Sequence, residues 1–209
     1  IKVEVLAKDI SVVASAQEIY DALKQKSITI DFLVNNAGFG DFGFFTETKW
    51  EKELEMINLN ITALTVLTKL FVKDMVARKF GKVVNVASTA SFQPGPLMAV
   101  YYATKAYVLS FSEAIANELQ GTGVTVTALC PGPTESGFQN AAAMNDSKLV
   151  KGKKLPTSQE VAEYAYKVMM NGKVVAIHGV MNTIMAQSVR FTPRAIVRSL
   201  VRMMSERTH

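Results

Sequence analysis

Apolar runs of strand length alternate with longer helical patterns along most of the chain. The strand-like runs are KVEVL, DFLVN, KVVNVA, VTVTALC and KVVAIHG. Helical patterns lie between them, near residues 15–26, 47–79, 99–120 and 157–171. Apolar strands that alternate with helices usually form a parallel sheet covered on both faces. The pattern therefore predicts an α/β fold, a doubly wound parallel sheet.

Length and helix signals agree with this fold. The chain has 209 residues, the size of one ordinary domain, and we expect a single domain over residues 1–209. Thr157-x-x-Glu160 after Pro156 predicts a capped helix start, and Gly121 predicts the end of the long helix near 99–120.

Composition excludes several classes of protein. Hydrophobic residues make up 49% and charged residues 20%, which is typical of a globular chain, and no apolar run reaches the roughly 18 residues of a membrane span. The net charge of +5 is mild and its basic residues are dispersed except near the end, so we expect no nucleic-acid partner. The single cysteine, Cys130, fits a reducing compartment such as the cytoplasm, and with His178 and His209 it predicts no metal site.

A glycine pattern after the DFLVN run must be tested against its context. Gly38-x-Gly40-x-x-Gly43 has the spacing of a dinucleotide-binding turn, which works only where the last glycine opens a helix. Here FFTETKW follows, and Thr46 or Thr48 would cap the next helix better than any glycine. We therefore expect no phosphate site in this loop.

A tyrosine and a lysine four residues apart point to proton-transfer chemistry. Tyr101 and Lys105 would share one helix face, where a nearby ammonium lowers the pKa of a phenol. The spacing alone carries little information, because Tyr20 and Lys24 repeat it on an amphipathic helix that we interpret as a solvated face. Tyr101 differs because a Gly- and Pro-rich loop links it to Ser88, which follows a strand.

With these motifs in order, the whole chain resembles the short-chain dehydrogenase/reductase family, which has a Rossmann-like fold. The resemblance implies a catalytic tetrad of Asn58, Ser88, Tyr101 and Lys105, in which Tyr101 is the acid/base group. Two assignments have close rivals, since Asn60 lies beside Asn58 in MINLN and Ser91 lies beside Ser88 in VNVASTAS.

The resemblance also implies a nicotinamide cofactor and the residues that contact it. NADP is the expectation, with NAD possible, because the tail is similar to reductase-like members. The implied contacts are Asp9, Ile10, Asn36, Ala37, Gly38, Tyr101, Lys105, Pro131, Gly132, Thr134 and Ser136. Thr134 and Ser136 could instead cap a helix, and His178 is expected to be structural. Family members carry a Gly-rich turn before the point where this chain begins, so we expect the chain to be part of a longer protein.

The implied activity is hydride transfer between the cofactor and a carbonyl or secondary alcohol. The segments FQPGPLM and FQNAAAMNDSKL are apolar and Met-rich, which favours a hydrophobic small-molecule substrate. The alternative is a catalytically idle scaffold of the same fold that acts in binding or regulation. Family members are commonly oligomers, and we expect a homodimer or homotetramer.

A C-terminal amphipathic helix is predicted near residues 193–206. Ile196, Val197, Leu200, Val201 and Met204 form one apolar stripe, and the arginines at 194, 198 and 202 form another face. The first interpretation is packing on the protein's own domain or on a second subunit. Contact with an anionic membrane is the alternative.

Overall fold

The computed structural model describes residues 2–144, 146–148, 152 and 154–206. The strands are β1 (Phe32–Asn35), β2 (Gly81–Val86), β3 (Val124–Cys130) and β4 (Val175–Ile177). The α-helices are α1 (Val13–Gln25), α2 (Trp50–Ile57), α3 (Leu64–Arg78), α4 (Ala99–Glu118), α5 (Phe138–Ala141), α6 (Ser158–Met170), α7 (Val180–Ser188) and α8 (Arg194–Ser205).

The strands form one parallel sheet in the order β1-β2-β3-β4. Helices α3 and α4 cover one face, where they pack against Val83 and Val126. Helix α6 covers the opposite face, where it packs against Val84 and Leu129. Helices on both faces of a parallel sheet confirm the predicted α/β doubly wound architecture.

A chain of buried polar side chains joins the carboxyl ends of β1 and β2 to the helices behind them. Asn35 donates from its amide to Asn85 Oδ1 at 2.8 Å and to Thr68 Oγ1 at 2.9 Å. Asn85 donates in turn to Ser112 Oγ at 2.9 Å, and Ser112 donates to the Val108 carbonyl at 2.7 Å. The side chains of this buried chain therefore each have a hydrogen-bond partner, and they hold the strand ends in register with α3 and α4.

The strand predicted for KVEVL is not formed. Residues 2–9 are irregular, and the side chains of Val3 and Val5 are 76% and 79% exposed. An extended segment needs a neighbouring strand for its backbone hydrogen bonds, and no strand of the described residues lies beside this one. The outer edge of β1 is likewise unpaired within the described chain.

The helical region predicted near 47–79 is continuous, with a wider π-helical turn at Asn58–Ala63 between α2 and α3. It begins after Lys49, so the prediction that Thr46 or Thr48 caps it is wrong; Thr48 donates to Glu53 instead. By length and composition alone Trp50–Arg78 could span a membrane. Core helices of soluble proteins share those properties, and Phe71 and Met75 are buried against the sheet.

The remaining helix signals have mixed outcomes. Thr157 and Glu160 form the predicted capping box of α6, with Glu160 N donating to Thr157 Oγ1 at 3.2 Å. No helix opens directly after Gly43, as expected from the residues that follow it. Helix α8 lies where the C-terminal helix was predicted, whereas α7 was not anticipated.

We predict that Asn85→Leu lowers the free energy of unfolding by about 2–4 kcal/mol, because it leaves the Asn35 amide and the Ser112 hydroxyl without their buried partner. Urea denaturation measures the loss. Asn117→Leu is the matched control, since Asn117 is exposed on α4 and its replacement should change stability little. Equal effects of the two substitutions would contradict a structural role for the buried chain.

Candidate active site

Ser88, Tyr101 and Lys105 meet beyond the end of β2. Ser88 lies two residues after the strand and caps a short 3₁₀ turn, Thr89–Phe92. Helix α4 presents Tyr101 and Lys105 on one face, with the ammonium 5.9 Å from the centre of the phenol ring. The Ser88 hydroxyl lies close enough to the phenol to influence its pKa. The structure thus brings together three residues that the sequence separates by 17 positions.

The two neighbouring serines have different partners. Ser91 is buried, donates to the Lys105 carbonyl at 2.7 Å and accepts from the Ser88 amide at 3.3 Å, which binds the turn to α4. The Ser88 hydroxyl accepts a hydrogen bond from Ala90 N at 3.1 Å. Accepting this bond leaves its own proton available to donate. The geometry favours Ser88 over Ser91 as the serine that meets a substrate oxygen.

Burial shifts the pKa values of the tyrosine and the lysine in opposite directions. Burial raises the pKa of Tyr101 to about 12, and hydrogen bonding by Ser88 opposes part of that rise. Burial lowers the pKa of Lys105 to about 8. The expectation that the pKa of Tyr101 is lowered is therefore wrong for this structure, because removal from water is the largest influence on it.

The Lys105 ammonium has spare hydrogen-bonding capacity. It donates to the Val86 carbonyl at 2.7 Å, and no carboxylate of the described residues forms an ion pair with it. An ammonium has three N–H donors, so the remaining ones can meet the hydroxyls of a ligand. A buried, uncompensated ammonium is costly, which is consistent with its lowered pKa.

Asn60, and not Asn58, lies in this site. Asn60 is 1% exposed; its Oδ1 accepts from Phe39 N at 3.2 Å, and its Nδ2 donates to Phe39 O and Thr104 Oγ1, both at 3.0 Å. The half-buried Asn58 side chain makes no hydrogen bond with the described residues. Helical residues two apart point in different directions, so only one of the two can face the site. The geometry favours Asn60 over Asn58 as the asparagine of this site, and the catalytic role implied for it stays a prediction.

Two glycines let the loop after β1 approach the site closely. A Cβ on Gly38 would lie 2.8 Å from Asn60 Oδ1 and 3.5 Å from Lys105 Nζ. A Cβ on Gly40 would lie 2.8 Å from the Phe138 ring and 3.2 Å from the Tyr101 ring. Contacts this short are not tolerated without displacement of the neighbours. Close packing is therefore a sufficient explanation for Gly38 and Gly40, and no phosphate-binding role is needed to account for them.

The segment at residues 35–38, NNAG, has a buried part and an exposed part. Asn35 carries hydrogen bonds that support the sheet, a role that the sequence analysis did not assign to it. Asn36, Ala37 and Gly38 are exposed at the end of β1, on the same edge as Ser88. They are therefore accessible to a ligand.

The loop after β3 approaches the same edge. The Pro131 carbonyl accepts from Thr89 N at 2.9 Å, which ties this loop to the turn that Ser88 caps. Thr134 donates to the Gly132 carbonyl at 2.9 Å, and Ser136 accepts from Phe138 N at 3.3 Å near the start of α5. Both hydroxyls thus bond to their own loop. The N-cap of α5 is Gly137 and no side chain caps this helix, so neither Thr134 nor Ser136 is its cap, and their contact with the cofactor stays a prediction.

Asp9 and Ile10 precede α1. The exposed Asp9 carboxylate accepts from the Ser11 amide at 2.9 Å and from the Ser11 hydroxyl at 2.7 Å. These bonds lower the pKa of Asp9 and close its own turn. The contact of Asp9 and Ile10 with the cofactor stays a prediction.

The second tyrosine–lysine pair has a different setting. Tyr20 packs edge-on against Phe71 and donates to Asp74 Oδ2 at 2.9 Å, and Lys24 forms an ion pair with Asp74 at 3.0 Å. The interpretation as a fully solvated face is therefore wrong for Tyr20, which is half-buried. The Asp74 carboxylate satisfies both groups, so this pair has a sufficient structural explanation.

The contacts of Cys130 and His178 indicate that both residues have structural roles. Cys130 is buried beneath the site, and burial raises the pKa of its thiol to about 12, which keeps it protonated. The His178 ring makes an edge-on contact with Tyr164, with centroids 5.1 Å apart. No group of three or more potential metal ligands occurs in the described part of the chain.

This fold and this site define a class of protein, and comparison with known proteins agrees with it. Residues 1–147 match the family model described as short chain dehydrogenase. The protein belongs to the short-chain dehydrogenase family.

Several relatives illustrate the range of the family. A 3-oxoacyl-[acyl-carrier-protein] reductase of Synechocystis sp. is 38% identical over 123 residues, which cover 57% of this chain and 50% of that protein. The 17-beta-hydroxysteroid dehydrogenase type 3 of Mus musculus is 35% identical over 120 residues, covering 55% of this chain and 39% of the relative. The matches thus span about half or less of these relatives' length.

A solved structure shows the same arrangement over more of the chain. The short-chain dehydrogenase from Sphingobium yanoikuyae in complex with NADPH superposes with a TM-score of 0.77 at 27% identity. The match covers 91% of this chain and 74% of that one.

We predict that the buried ammonium makes stability depend on pH. The pKa of Lys105 is about 8 when folded against a usual value of 10.5. Between these values the unfolded chain keeps the Lys105 proton that the folded chain has lost, so this residue makes the free energy of unfolding rise with pH, by at most about 1.4 kcal/mol per pH unit. Cys130, with a folded pKa of about 12 against a usual 9.0, opposes this rise above about pH 9, so the Lys105 contribution is measured as the difference between the wild type and Lys105→Met. Urea denaturation without cofactor, between about pH 8 and about pH 10, measures this slope.

Lys105→Met should remove the rise, whereas Lys167→Met, at an exposed lysine of α6, should leave it unchanged. Identical slopes for the wild type and Lys105→Met would show that Lys105 titrates normally.

We also predict that Asn60→Ala loosens the loop after β1 and that Asn58→Ala does not. Removing the Asn60 amide leaves the Phe39 N–H and C=O without their partner and removes one of the two hydrogen bonds of the Thr104 hydroxyl, which should cost about 1–3 kcal/mol of stability. Thermal unfolding of the two variants gives the comparison. A larger loss for Asn58→Ala would return the assignment to Asn58.

Proposed function

We propose that the protein is an oxidoreductase that moves a hydride between a nicotinamide cofactor and a carbonyl or secondary alcohol. The observation that carries the proposal is the convergence of Ser88, Tyr101 and Lys105 beyond β2, with Asn60 fixing the loop beside them. These groups lie beyond the carboxyl ends of the strands, which is the edge of the sheet where doubly wound folds bind ligands.

The residues present fit the nicotinamide half of a dinucleotide. Lys105 retains N–H donors that suit a ribose diol, and the absence of a side chain on Gly38 lets the loop after β1 pack beside Asn60 and Lys105. Asn36, Ala37 and Gly38 lie exposed on one side, and the loop at Pro131–Gly132 lies on the other. When bound, the cofactor would accept or supply the hydride.

The side chains account for the proton that accompanies the hydride. A pKa of about 12 keeps the Tyr101 phenol protonated at neutral pH, so it is available to donate its proton to a carbonyl oxygen. The Ser88 hydroxyl donates a hydrogen bond to the same oxygen as negative charge develops on it. The Lys105 ammonium stabilises the tyrosinate that remains, and in alcohol oxidation the proton moves in reverse.

We propose a hydrophobic carbonyl compound as the substrate. Apolar side chains surround the Tyr101 ring, among them Met98, Phe138 and Met144. Phe138 lies 5.2 Å from Tyr101 between ring centres, and it belongs to one of the Met-rich segments singled out in the sequence. A lining of this kind favours apolar ligands and excludes water from the phenol.

We further propose NADP(H) as the cofactor, the cytoplasm as the location and a homo-oligomer as the working form. The NADPH complex of the related Sphingobium enzyme supports the cofactor choice. The outer side of α4 supports self-association: Tyr107 is 39% exposed, stacks on Phe111 and hydrogen-bonds Thr65 of α3 at 3.1 Å. Exposed aromatic residues on rigid helices are typical of subunit contacts.

We predict that Tyr101→Phe reduces turnover at least about 100-fold, because general acid catalysis contributes that much or more. Folding and cofactor affinity should persist, since one hydroxyl is lost from a ring that stays packed. Ketone reduction by the full-length protein with NADPH and with NADH measures turnover, and quenching of nucleotide fluorescence measures binding.

Tyr20→Phe is the matched control, because it removes the same atom from the second tyrosine–lysine pair. It breaks the bond to Asp74 and should leave turnover near the wild-type value. Similar turnover in both variants would remove Tyr101 from the acid/base role. Nucleotide binding without turnover on any ketone or alcohol would instead support the idle scaffold.

A further inference from the structure

Helices α7 and α8 expose an unusual amount of apolar surface. Phe191, between them, is 89% exposed, and Val180 and Met181 at the start of α7 are 79% and 66% exposed. We define the C-terminal apolar surface as Val180, Met181, Ile184, Met185, Phe191, Ile196, Leu200 and Met203, all of which are largely exposed. Apolar residues exposed in this number within one short segment favour a contact with another molecule or a membrane.

Helix α8 divides the predicted apolar stripe between two environments. Val197 is buried, and Val201 packs against the cluster that contains Tyr101. Ile196, Leu200 and Met203 follow a spacing of four and three residues, so they share a face that the core does not cover. Packing on the protein's own domain, the first interpretation of this helix, therefore explains only part of the stripe.

The same segment carries positive charge without negative charge. Residues 179–205 contain Arg190, Arg194, Arg198 and Arg202 and have no aspartate or glutamate. Arg202 is partly engaged, 4.9 Å from the centre of the Phe44 ring and 3.7 Å from a Glu206 carboxylate oxygen. The other three arginines are exposed and form no ion pair within the described chain.

We propose that the C-terminal apolar surface binds the surface of an anionic lipid bilayer. A helix with an apolar face and an arginine face lies in the plane of the bilayer interface, where the apolar side chains enter the lipid and the arginines meet phosphate groups. Phe191 enters the interface between the two helices. The protein lies on the membrane through α7 and α8 and does not span it.

Charge complementarity selects a bilayer over a second copy of the chain. In a twofold symmetric contact the same segment meets itself, and residues 179–205 hold no carboxylate that could pair with the arginines of the other copy. An anionic bilayer supplies the opposite charge and an apolar interior together. Contact between subunits is assigned instead to the outer side of α4, where Tyr107 and Phe111 stack.

The proposal is best tested by substituting exposed side chains, because truncating α8 would disturb the fold. Removing α8 would also remove Val201 from the cluster around Tyr101, and the Ser205 carbonyl that accepts from Ser147 Oγ at 3.1 Å. A truncated chain could then lose vesicle binding through misfolding. Substitutions of Phe191 and of the exposed arginines leave these contacts in place.

The test measures sedimentation of the full chain with vesicles of phosphatidylcholine, alone or mixed with phosphatidylglycerol, at low and high salt. The first variant combines Arg190→Gln, Arg194→Gln and Arg198→Gln. Its matched control, Lys69→Gln, Lys73→Gln and Lys167→Gln, changes net charge equally at exposed lysines on α3 and α6. The second variant is Phe191→Ser, with Tyr166→Ser as control, since Tyr166 is 63% exposed on α6.

We expect binding to the anionic vesicles at low salt and weaker binding at high salt. The triple arginine variant should bind about 100-fold more weakly, since each basic residue near the membrane surface contributes about fivefold. Phe191→Ser should bind about 10-fold more weakly. Both controls should bind as the wild type does.

Three results would overturn the proposal. These are the absence of binding to anionic vesicles at low salt, equal losses in the arginine and lysine variants, and light scattering that shows Phe191→Ser dissociating an oligomer. The last would assign the surface to a subunit contact. Turnover of a water-soluble ketone, expected unchanged in all variants, separates failure of this proposal from failure of the proposed function.

Discussion

The buried hydrogen bond between Asn35 and Asn85 is the interaction on which the rest of the site depends. It joins β1 to β2 in the interior, and Ser112 and Thr68 extend it to the helices behind. A buried amide without a partner would be costly, so the strands have one favourable register at this point. Because both strands end together, the loops that follow them open onto the same edge of the sheet.

Loop geometry then brings individual groups into contact at that edge. Asn60 holds the backbone of Phe39, and Gly38 and Gly40 allow this loop to approach Lys105 and Tyr101 without a steric conflict. In these contacts the backbone of the loop after β1 meets side chains of other elements. The reactive groups are thereby held on rigid elements, as a catalytic arrangement requires.

Burial distinguishes the two tyrosine–lysine pairs more clearly than their spacing does. Tyr101 and Lys105 are removed from water, their pKa values are shifted, and the ammonium keeps unpaired donors. Tyr20 and Lys24 share the Asp74 carboxylate near the surface, where their hydrogen bonds are satisfied. Identical residues at identical spacing therefore have a chemical role in one place and a structural role in the other.

The sequence by itself determined helix α1 and the alternation of strands and helices from β1 to β4, although it did not indicate α7. It also determined that Ser88 follows a strand and that Tyr101 and Lys105 share a face of the next long helix. Those features follow from local periodicity and from residues that act within a few positions of one another. Tertiary structure decided which of Asn58 and Asn60 faces the site, because a π-helical turn sets their directions. It also decided that KVEVL forms no strand, since a strand depends on its neighbour, and that burial and not the nearby cation dominates the pKa of Tyr101.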